Sequence, residues 1–274
     1  VGASLKFTAS DLDHIIDSLA PYSLACSWDN VGFQVGRSDR NITAVLCALE
    51  ITPGIIREAV RNKADAIISH HPLIFHPISR ITDATVSGQL ATDIILSGLC
   101  LFVAHTNLDK SPCGINHALA KLIGLANLQF IQPEPAQNGE PHYGMGYFGE
   151  LPKTLTIKRF IEEVKRCLRV SHVQVVGDVK VRVRRVAVLA GSGNEAIKGM
   201  DMGLADILLT GEMSHHAALE AKILGMPVIC AGHYATESVG MKYFAGVLRR
   251  HRDIREAGVK ILEAKCQSPP YEYV

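Results

Sequence analysis

The sequence predicts an α/β protein of two similar lobes with mainly parallel sheet, and three observations support that expectation. Apolar runs of strand length alternate with stretches of helical spacing, the pattern of βαβ units. Ala64-Asp65-Ala66-Ile67-Ile68-Ser69 is matched by Ala205-Asp206-Ile207-Leu208-Leu209-Thr210, so the second half reads as a degenerate copy of the first. Two further apolar runs, Leu99–Ala104 and Met226–Ala231, each lead into a histidine and, four residues beyond it, an acid: His105 with Asp109, and His233 with Glu237. Parallel sheets gather ligands at the carboxyl ends of their strands. The two halves are therefore expected to close on one metal site.

The elements follow in order. Thr8-Ala9-Ser10-Asp11 offers capping residues to a helix that runs to Ala20 and stops at Pro21. A loop with Ser27-Trp28-Asp29-Asn30-Val31-Gly32 precedes a buried strand over 42–49. Pro53 suits a first helical turn and starts a helix to Asn62. The strand at 64–69 runs straight into His70-His71-Pro72, a helix near 84–97 leads to the strand at 99–104, and a helix over 114–122 ends at Gly124. The stretch 131–145 is rich in Pro, Gly, Gln and Asn and predicts a linker or long loop. A mixed-charge helix spans 156–168, with strands at 173–176 and 184–189. The copy then continues through a helix near 194–202, a strand at 205–210, a helix at 214–224 and a strand at 227–231. The expected division is a first lobe over 5–130, a connecting segment over 131–180 and a second lobe over 181–268.

Composition narrows the function classes. The 274 residues are 47% hydrophobic and 20% charged, enough for a large core. A net charge of +1 with scattered Lys and Arg leaves no footprint for nucleic acid. No apolar run approaches the roughly 20 residues that span a bilayer. The amino-terminal residues lack a signal pattern, so a cytoplasmic protein is expected; the initial Val1 leaves a trimmed organellar targeting segment open. Seven cysteines with no CxxC pair, several of them inside apolar strands, read as buried free thiols in a reducing compartment.

The chemistry lies in histidines and acids at strand ends. Pro72 forces a bend just past the strand, so both His70 and His71 could reach one pocket. If Thr106–Asp109 opens a helical turn, His105 and Asp109 share a face; Lys110-Ser111-Pro112 suggests an irregular loop instead. Asp109 is the better ligand of that pair, with His105 as a group that orients a ligand. Gly232 allows a sharp turn ahead of His233, and Glu237 falls in the first turn of an apolar-striped helix. Three or four histidines and two carboxylates exceed one tetrahedral site. They suit two ions about 3.5–4 Å apart with a bridging carboxylate. The donors fit Zn, Mn, Fe, Co or Ni without choosing among them. By the repeat, Glu212 aligns with His71 and is a candidate general base or supporting carboxylate. His215 and His216 open the next helix, where one lines the pocket or both face solvent; the remaining histidines read as structural or solvent-facing.

At these residues the chain resembles the dinuclear-metal family called GTP cyclohydrolase I type 2 homologues, also described as NGG-one-interacting-factor-three-like proteins. The matching pieces are Ser27 to Gly32, Ser69-His70-His71-Pro72, His105 through Asp109, Thr210-Gly211-Glu212 and Gly232 through Glu237, in family order across nearly the whole chain. The resemblance implies two α/β lobes with the metal site between them and a toroidal homohexamer. It implies His70, His71, Asp109, His233 and Glu237 as ligands, with Glu237 bridging and His105 close by. Some members carry an extra central domain for which this chain has no room. The family name implies hydrolytic opening of the guanine ring of GTP. No guanine-reading or triphosphate-cradling motif accompanies the donors, so the sequence leaves three readings. These are a metal-dependent hydrolase acting on GTP or another nucleotide, a metal-binding interaction protein that engages protein partners without turnover, and a metal store or carrier.

Overall fold

The computed structural model describes residues 6–135, 142–199 and 203–272. The first elements are α1 (Ala9–Leu19), β1 (Gly32–Val35), β2 (Ala44–Ala48), α2 (Pro53–Arg61), β3 (Ala66–Ser69), α3 (Val86–Leu96), β4 (Cys100–Val103) and α4 (Thr106–Lys110). Next come α5 (Ile115–Leu122), β5 (Ala126–Pro133), β6 (Gly144–Thr156), α6 (Ile157–Leu168), β7 (Gln174–Val176) and β8 (Arg182–Ser192). They are followed by α7 (Asn194–Gly199), β9 (Ile207–Glu212), α8 (His215–Ile223), β10 (Val228–Cys230), α9 (His233–Arg250), α10 (Arg252–Glu256) and β11 (Lys260–Glu263). Residue 5 of the expected first lobe, 136–141 of the expected linker and 200–202 of the helix expected over 194–202 lie outside the described residues.

Two compact units result. One contains the chain up to Leu108 and again from Met241 onward; the other is Asp109–Gly240. Each has its own sheet, ordered β1-β4-β3-β2-β11 in the first unit and β5-β6-β8-β9-β10-β7 in the second. The first sheet is mainly parallel, with only β1 antiparallel to its neighbour. The second is mixed: β8, β9 and β10 are parallel, whereas β5, β6 and β7 pair antiparallel. The expectation of mainly parallel sheet therefore holds for one sheet and is corrected for the other. The units also divide elsewhere than at 130 and 180. The stretch 131–180 supplies β6, α6 and β7 to the second sheet, and the chain returns to the first sheet because β11 pairs with β2, Ile261 opposite Val45.

The repeat goes further than the sequence match. The run α1–β1–β2–α2–β3–α3–β4 has the same order of elements as α6–β7–β8–α7–β9–α8–β10, and the strands lie as β1-β4-β3-β2 and β7-β10-β9-β8. The matched acids explain why their stretch survives. Asp65 accepts the Thr43 amide at 2.7 Å and Asp206 accepts the Arg184 and Arg185 amides at 2.8 Å each. In both copies a carboxylate just ahead of the middle strand ties down the entry to its neighbour.

Local sequence sets the helices. Thr8 and Asp11 form a capping box at α1; Thr52, Thr85, Thr156 and Ser214 cap α2, α3, α6 and α8. Ile55, Ile56 and Ala59 of α2 pack with Leu46, Ile67 and Leu101 of the first sheet. Each such buried aliphatic contributes about 1.5–3 kcal/mol. Strands β2, β3 and β4 are buried along their whole length, which is why they read as unbroken apolar runs. All seven cysteines are free thiols; Cys47, Cys100 and Cys230 are buried as expected, whereas Cys26, Cys113 and Cys167 are half-buried and Cys266 is exposed. Among the described residues no helix is long and apolar enough to cross a membrane.

Glu58 anchors the returning chain. It is 3% exposed, and its carboxylate accepts the amides of Lys265 at 3.0 Å and Cys266 at 3.0 Å. Burial pushes its pKa up, but the hydrogen bonds from the Cys266 thiol and from the two amides outweigh that and hold the group below the usual carboxylate value. Glu58→Ala is expected to cost about 1–3 kcal/mol in urea unfolding at neutral pH. Because the folded pKa lies below the unfolded value of about 4.3, the stabilisation is present above that pH and fades as pH falls through the folded pKa. The stability gap between wild type and Glu58→Gln should therefore narrow in acid; a gap that widens there would contradict the assignment.

Candidate metal centre

In the first unit the sheet register places the donors. Pairing continues past the end of β3: the His70 amide donates to the Ala48 carbonyl at 3.2 Å and the His71 amide to Leu49 at 3.0 Å. On the other side, the Ala104 amide donates to the Ser69 carbonyl at 3.0 Å. His70 thus lies beside the end of β4, where its Nδ1 meets the Ala104 carbonyl oxygen at 2.8 Å. A carbonyl can only accept, so Nδ1 holds the proton and Nε2 keeps its lone pair. The same logic applies to His71, whose Nδ1 is 2.6 Å from Glu50 Oε1, and to His105, whose Nδ1 is 2.8 Å from Asp29 Oδ1. All three rings are left with Nε2 as the basic atom, the tautomer a metal needs.

The rings converge. Their centroids are separated by 5.0 Å (His70 and His71), 5.0 Å (His70 and His105) and 5.4 Å (His71 and His105). One ligand atom from each lies within 4.8 Å of the others. Asp29 has no exposed side-chain surface and also accepts from the Thr106 amide at 3.1 Å. Burial alone would raise its pKa; the hydrogen bonds from His105 and Thr106 outweigh it and hold the carboxyl at about 2. Asp29 is thus a fixed anion behind His105. His105 stands with the other two donors, and the orienting part falls to Asp29.

The second unit holds its own group. His233 opens α9, with Nδ1 3.1 Å from Glu212 Oε1 and Nε2 3.0 Å from Glu237 Oε2, one turn along the helix. These contacts raise His233 to about 9, the Glu237 hydrogen bond first, with burial opposing and Glu212 adding. Gly191 makes room: its φ is +65°, and a Cβ there would overlap Glu237 Oε1. The buried Asn116 links the end of β8 to Asp109, accepting the Ala190 amide at 2.7 Å and donating to the Asp109 carbonyl at 3.0 Å. Thr236 Oγ1 accepts the Gly191 amide at 3.1 Å from the neighbouring position on the same strand. Asp109 itself lies half-buried on α4, so the helical alternative for residues 106–109 is the one observed.

The two copies are related with one difference. Ser69 pairs with Val103 as Thr210 pairs with Cys230, so Ala104 corresponds to Ala231, and His71 corresponds to Glu212. His105 then corresponds to Gly232, and His233 stands one place later. The matched spacing in the sequence hides this extra residue. His215 and His216 are exposed at the start of α8. Asp29, Glu50, Asn116 and Thr236 escape a search for ligand spacing, because each acts on a donor or its backbone. Two leave a trace: Asp29 lies in the Ser27–Gly32 stretch, and Glu50 is the first charged residue after the apolar run of β2.

The donors fit a divalent transition metal. They are imidazole nitrogen and carboxylate oxygen without thiolate. Two donors on one tetrahedral ion, bound at about 2.0–2.1 Å, lie roughly 3.3 Å apart. The 3.0 Å between His233 Nε2 and Glu237 Oε2 is close to that.

Sheet ends that gather imidazoles with pre-set tautomers define an α/β protein with candidate metal-binding groups. Within that class the chain belongs to the Duf34/NIF3 (NGG1p interacting factor 3) family, whose model matches residues 7–270. The family resemblance read from the motifs is thereby borne out. A Clostridium acetobutylicum protein named GTP cyclohydrolase 1 type 2 homolog is 32% identical over 235 residues, covering 85% of this chain and 86% of that one. A Clostridium perfringens protein of the same name is 29% identical over 265 residues, covering 97% and 99%. Among solved structures, a hypothetical protein of Staphylococcus aureus superposes with a TM-score of 0.90 at 29% identity, covering 98% of this chain and 100% of that one.

Removing an anchor should loosen the donor it holds. Asp29→Ala and Glu50→Ala are each expected to weaken zinc binding about 10–100-fold in competition with a chromogenic chelator, with little change in melting temperature for the half-exposed Glu50. Gly191→Ala should do the same at the second group by displacing Glu237, whereas Gly225→Ala, which meets no atom within 4 Å, serves as the positive-φ control.

Proposed function

We propose that the protein is a hydrolase working through two divalent ions, with a nucleotide, GTP foremost, as substrate. The observation that supports this most is the set of three histidines whose Nδ1 atoms are each tied to an oxygen acceptor, leaving three Nε2 atoms together. Structural sites of this family of metals favour thiolates and closed shells; an all-nitrogen-and-oxygen set suits an ion that keeps a position for substrate. The names of the clostridial relatives support GTP as the first substrate to try.

His70, His71 and His105 in the first unit, and Asp109, His233 and Glu237 in the second, are the residues that would hold the ions. A bound divalent ion supplies Lewis acidity and a nucleophile at neutral pH. The residues of the chain do the rest. Asp29, Glu50 and the Ala104 carbonyl keep the imidazoles aimed and correctly protonated. Glu212 holds His233 through Oε1, and as a half-exposed carboxylate it takes and returns the proton that hydrolysis moves. The assembly is a homohexamer, the form implied by the family resemblance.

Two substitutions at one position separate the parts of Glu212. Glu212→Gln keeps an oxygen acceptor for His233 and should leave metal content unchanged while kcat falls about 10²–10⁴-fold. Glu212→Ala should lower both. The decisive measurement is metal analysis of protein purified without chelators, followed by turnover assays on GTP, other nucleotides and phosphoesters. Metal-loaded protein that turns over none of them, and whose protein partners still bind after Asp109→Ala and Glu237→Ala, would replace the hydrolase with a metal-binding interaction protein.

A further inference from the structure

Two aromatic side chains stand exposed beside the histidine trio. Trp28 is 59% exposed and Phe75 37%. Their ring centroids are 5.9 Å apart with planes at 45°, and Trp28 meets His105 edge-on at 6.1 Å and 73°. Scattered exposed apolar residues need no explanation, but these two touch each other and one touches a candidate ligand. The backbone that carries them is also tied down. Trp28 is followed by Asp29, whose carboxylate is fixed by His105 and Thr106. Phe75 is preceded by Ile74, whose amide donates to Gln34 Oε1 at 3.0 Å and whose carbonyl accepts from Gln34 Nε2 at 3.1 Å and from Asn30 Nδ2. The loops bearing the two rings are thus stitched to each other by Asn30 and Gln34. A surface aromatic with no task gains nothing from such fixing; a binding platform loses less entropy on use.

We propose that Trp28 and Phe75 form a shelf on which the flat heteroaromatic ring of the substrate stacks, holding it beside His105. This names the part of the substrate that the site grips, and it rests on the reading of the protein as a nucleotide hydrolase. The two rings are already in contact, so the ligand ring lies on the open face of the indole, with Phe75 supporting the indole from the side. Stacking tolerates any base because each has a π-face. That accounts for a nucleotide site without a guanine-reading motif: the shelf takes the ring, and the metal donors select what is done to it.

Trp28 is the single tryptophan, so fluorescence excited at the red edge of the indole band, where tyrosine does not absorb, reports on this position alone. Guanosine and GTP should quench it on titration, and inorganic tripolyphosphate should not. In calorimetry Trp28→Leu should weaken guanosine binding about ten- to hundredfold, and Phe75→Ala less. Both residues are exposed, so the melting temperature should hold. Failure of guanosine to quench, or equal guanosine affinity in wild type and Trp28→Leu, overturns the shelf. The two readings fail separately. Guanosine stacking without turnover of any nucleotide sinks the hydrolase and keeps the shelf. Turnover of GTP with an unchanged KM in Trp28→Leu sinks the shelf and keeps the hydrolase.

Discussion

An imidazole offers a metal only the nitrogen that does not carry its proton, so the donor trio depends on where three protons sit. The Ala104 carbonyl, Glu50 and Asp29 decide that, each taking a hydrogen bond from Nδ1. The carbonyl is the most secure of the three, because it comes from the sheet. The parallel register that sets Ser69 opposite Val103 also sets His70 beside Ala104. A slip of that register would break the backbone ladder and turn His70 away from its acceptor together. The strands themselves are held by burial on both faces, so the positions of the protons trace back to packing of Leu46, Ile67 and Leu101.

The second group is built on the same frame with different contents. Where β2 is followed by Glu50, the corresponding position after Leu189 and Ala190 is Gly191. One copy puts an anchoring carboxylate there; the other leaves the space for Glu237. Where one copy has His71, the other has Glu212. The first copy is rich in imidazole and the second in carboxylate. Duplication of a βαβ frame gives two sets of strand ends, and divergence at three or four positions gives them unlike chemistry.

Much of this was legible from the residues. Unbroken apolar runs marked β2, β3, β4, β9 and β10 because these strands are buried. Threonine and serine caps marked the helix starts. The histidines at strand ends marked themselves as candidate metal donors through their company. What stayed hidden was long-range. The antiparallel strands β5 and β6 lie partly in a stretch rich in Pro and Gly; they pair with each other, and β6 joins the sheet through β8. Asp29 lies 76 positions from His105, and Asn116 lies 74 positions from Ala190; no spacing rule connects them. The one-residue offset between His105 and His233 was masked by an identical local pattern, and only the strand register separates them.

The return of the chain to the first sheet has a consequence for how the protein is made. The second unit is a continuous stretch. The first is not: Leu49 takes its amide partner from Gln267, 218 positions on, and β11 completes the sheet beside β2. Contacts so far apart are slow to form because a large loop must close first. During synthesis, β8, β9 and β10 leave the ribosome and can pair while the edge of β2 still waits for its neighbour. An unpaired edge of Val45, Leu46 and Cys47 is a site for mispairing with another chain, and in the finished fold Glu58, by accepting the amides of Lys265 and Cys266, ties down the chain just past the strand that covers it.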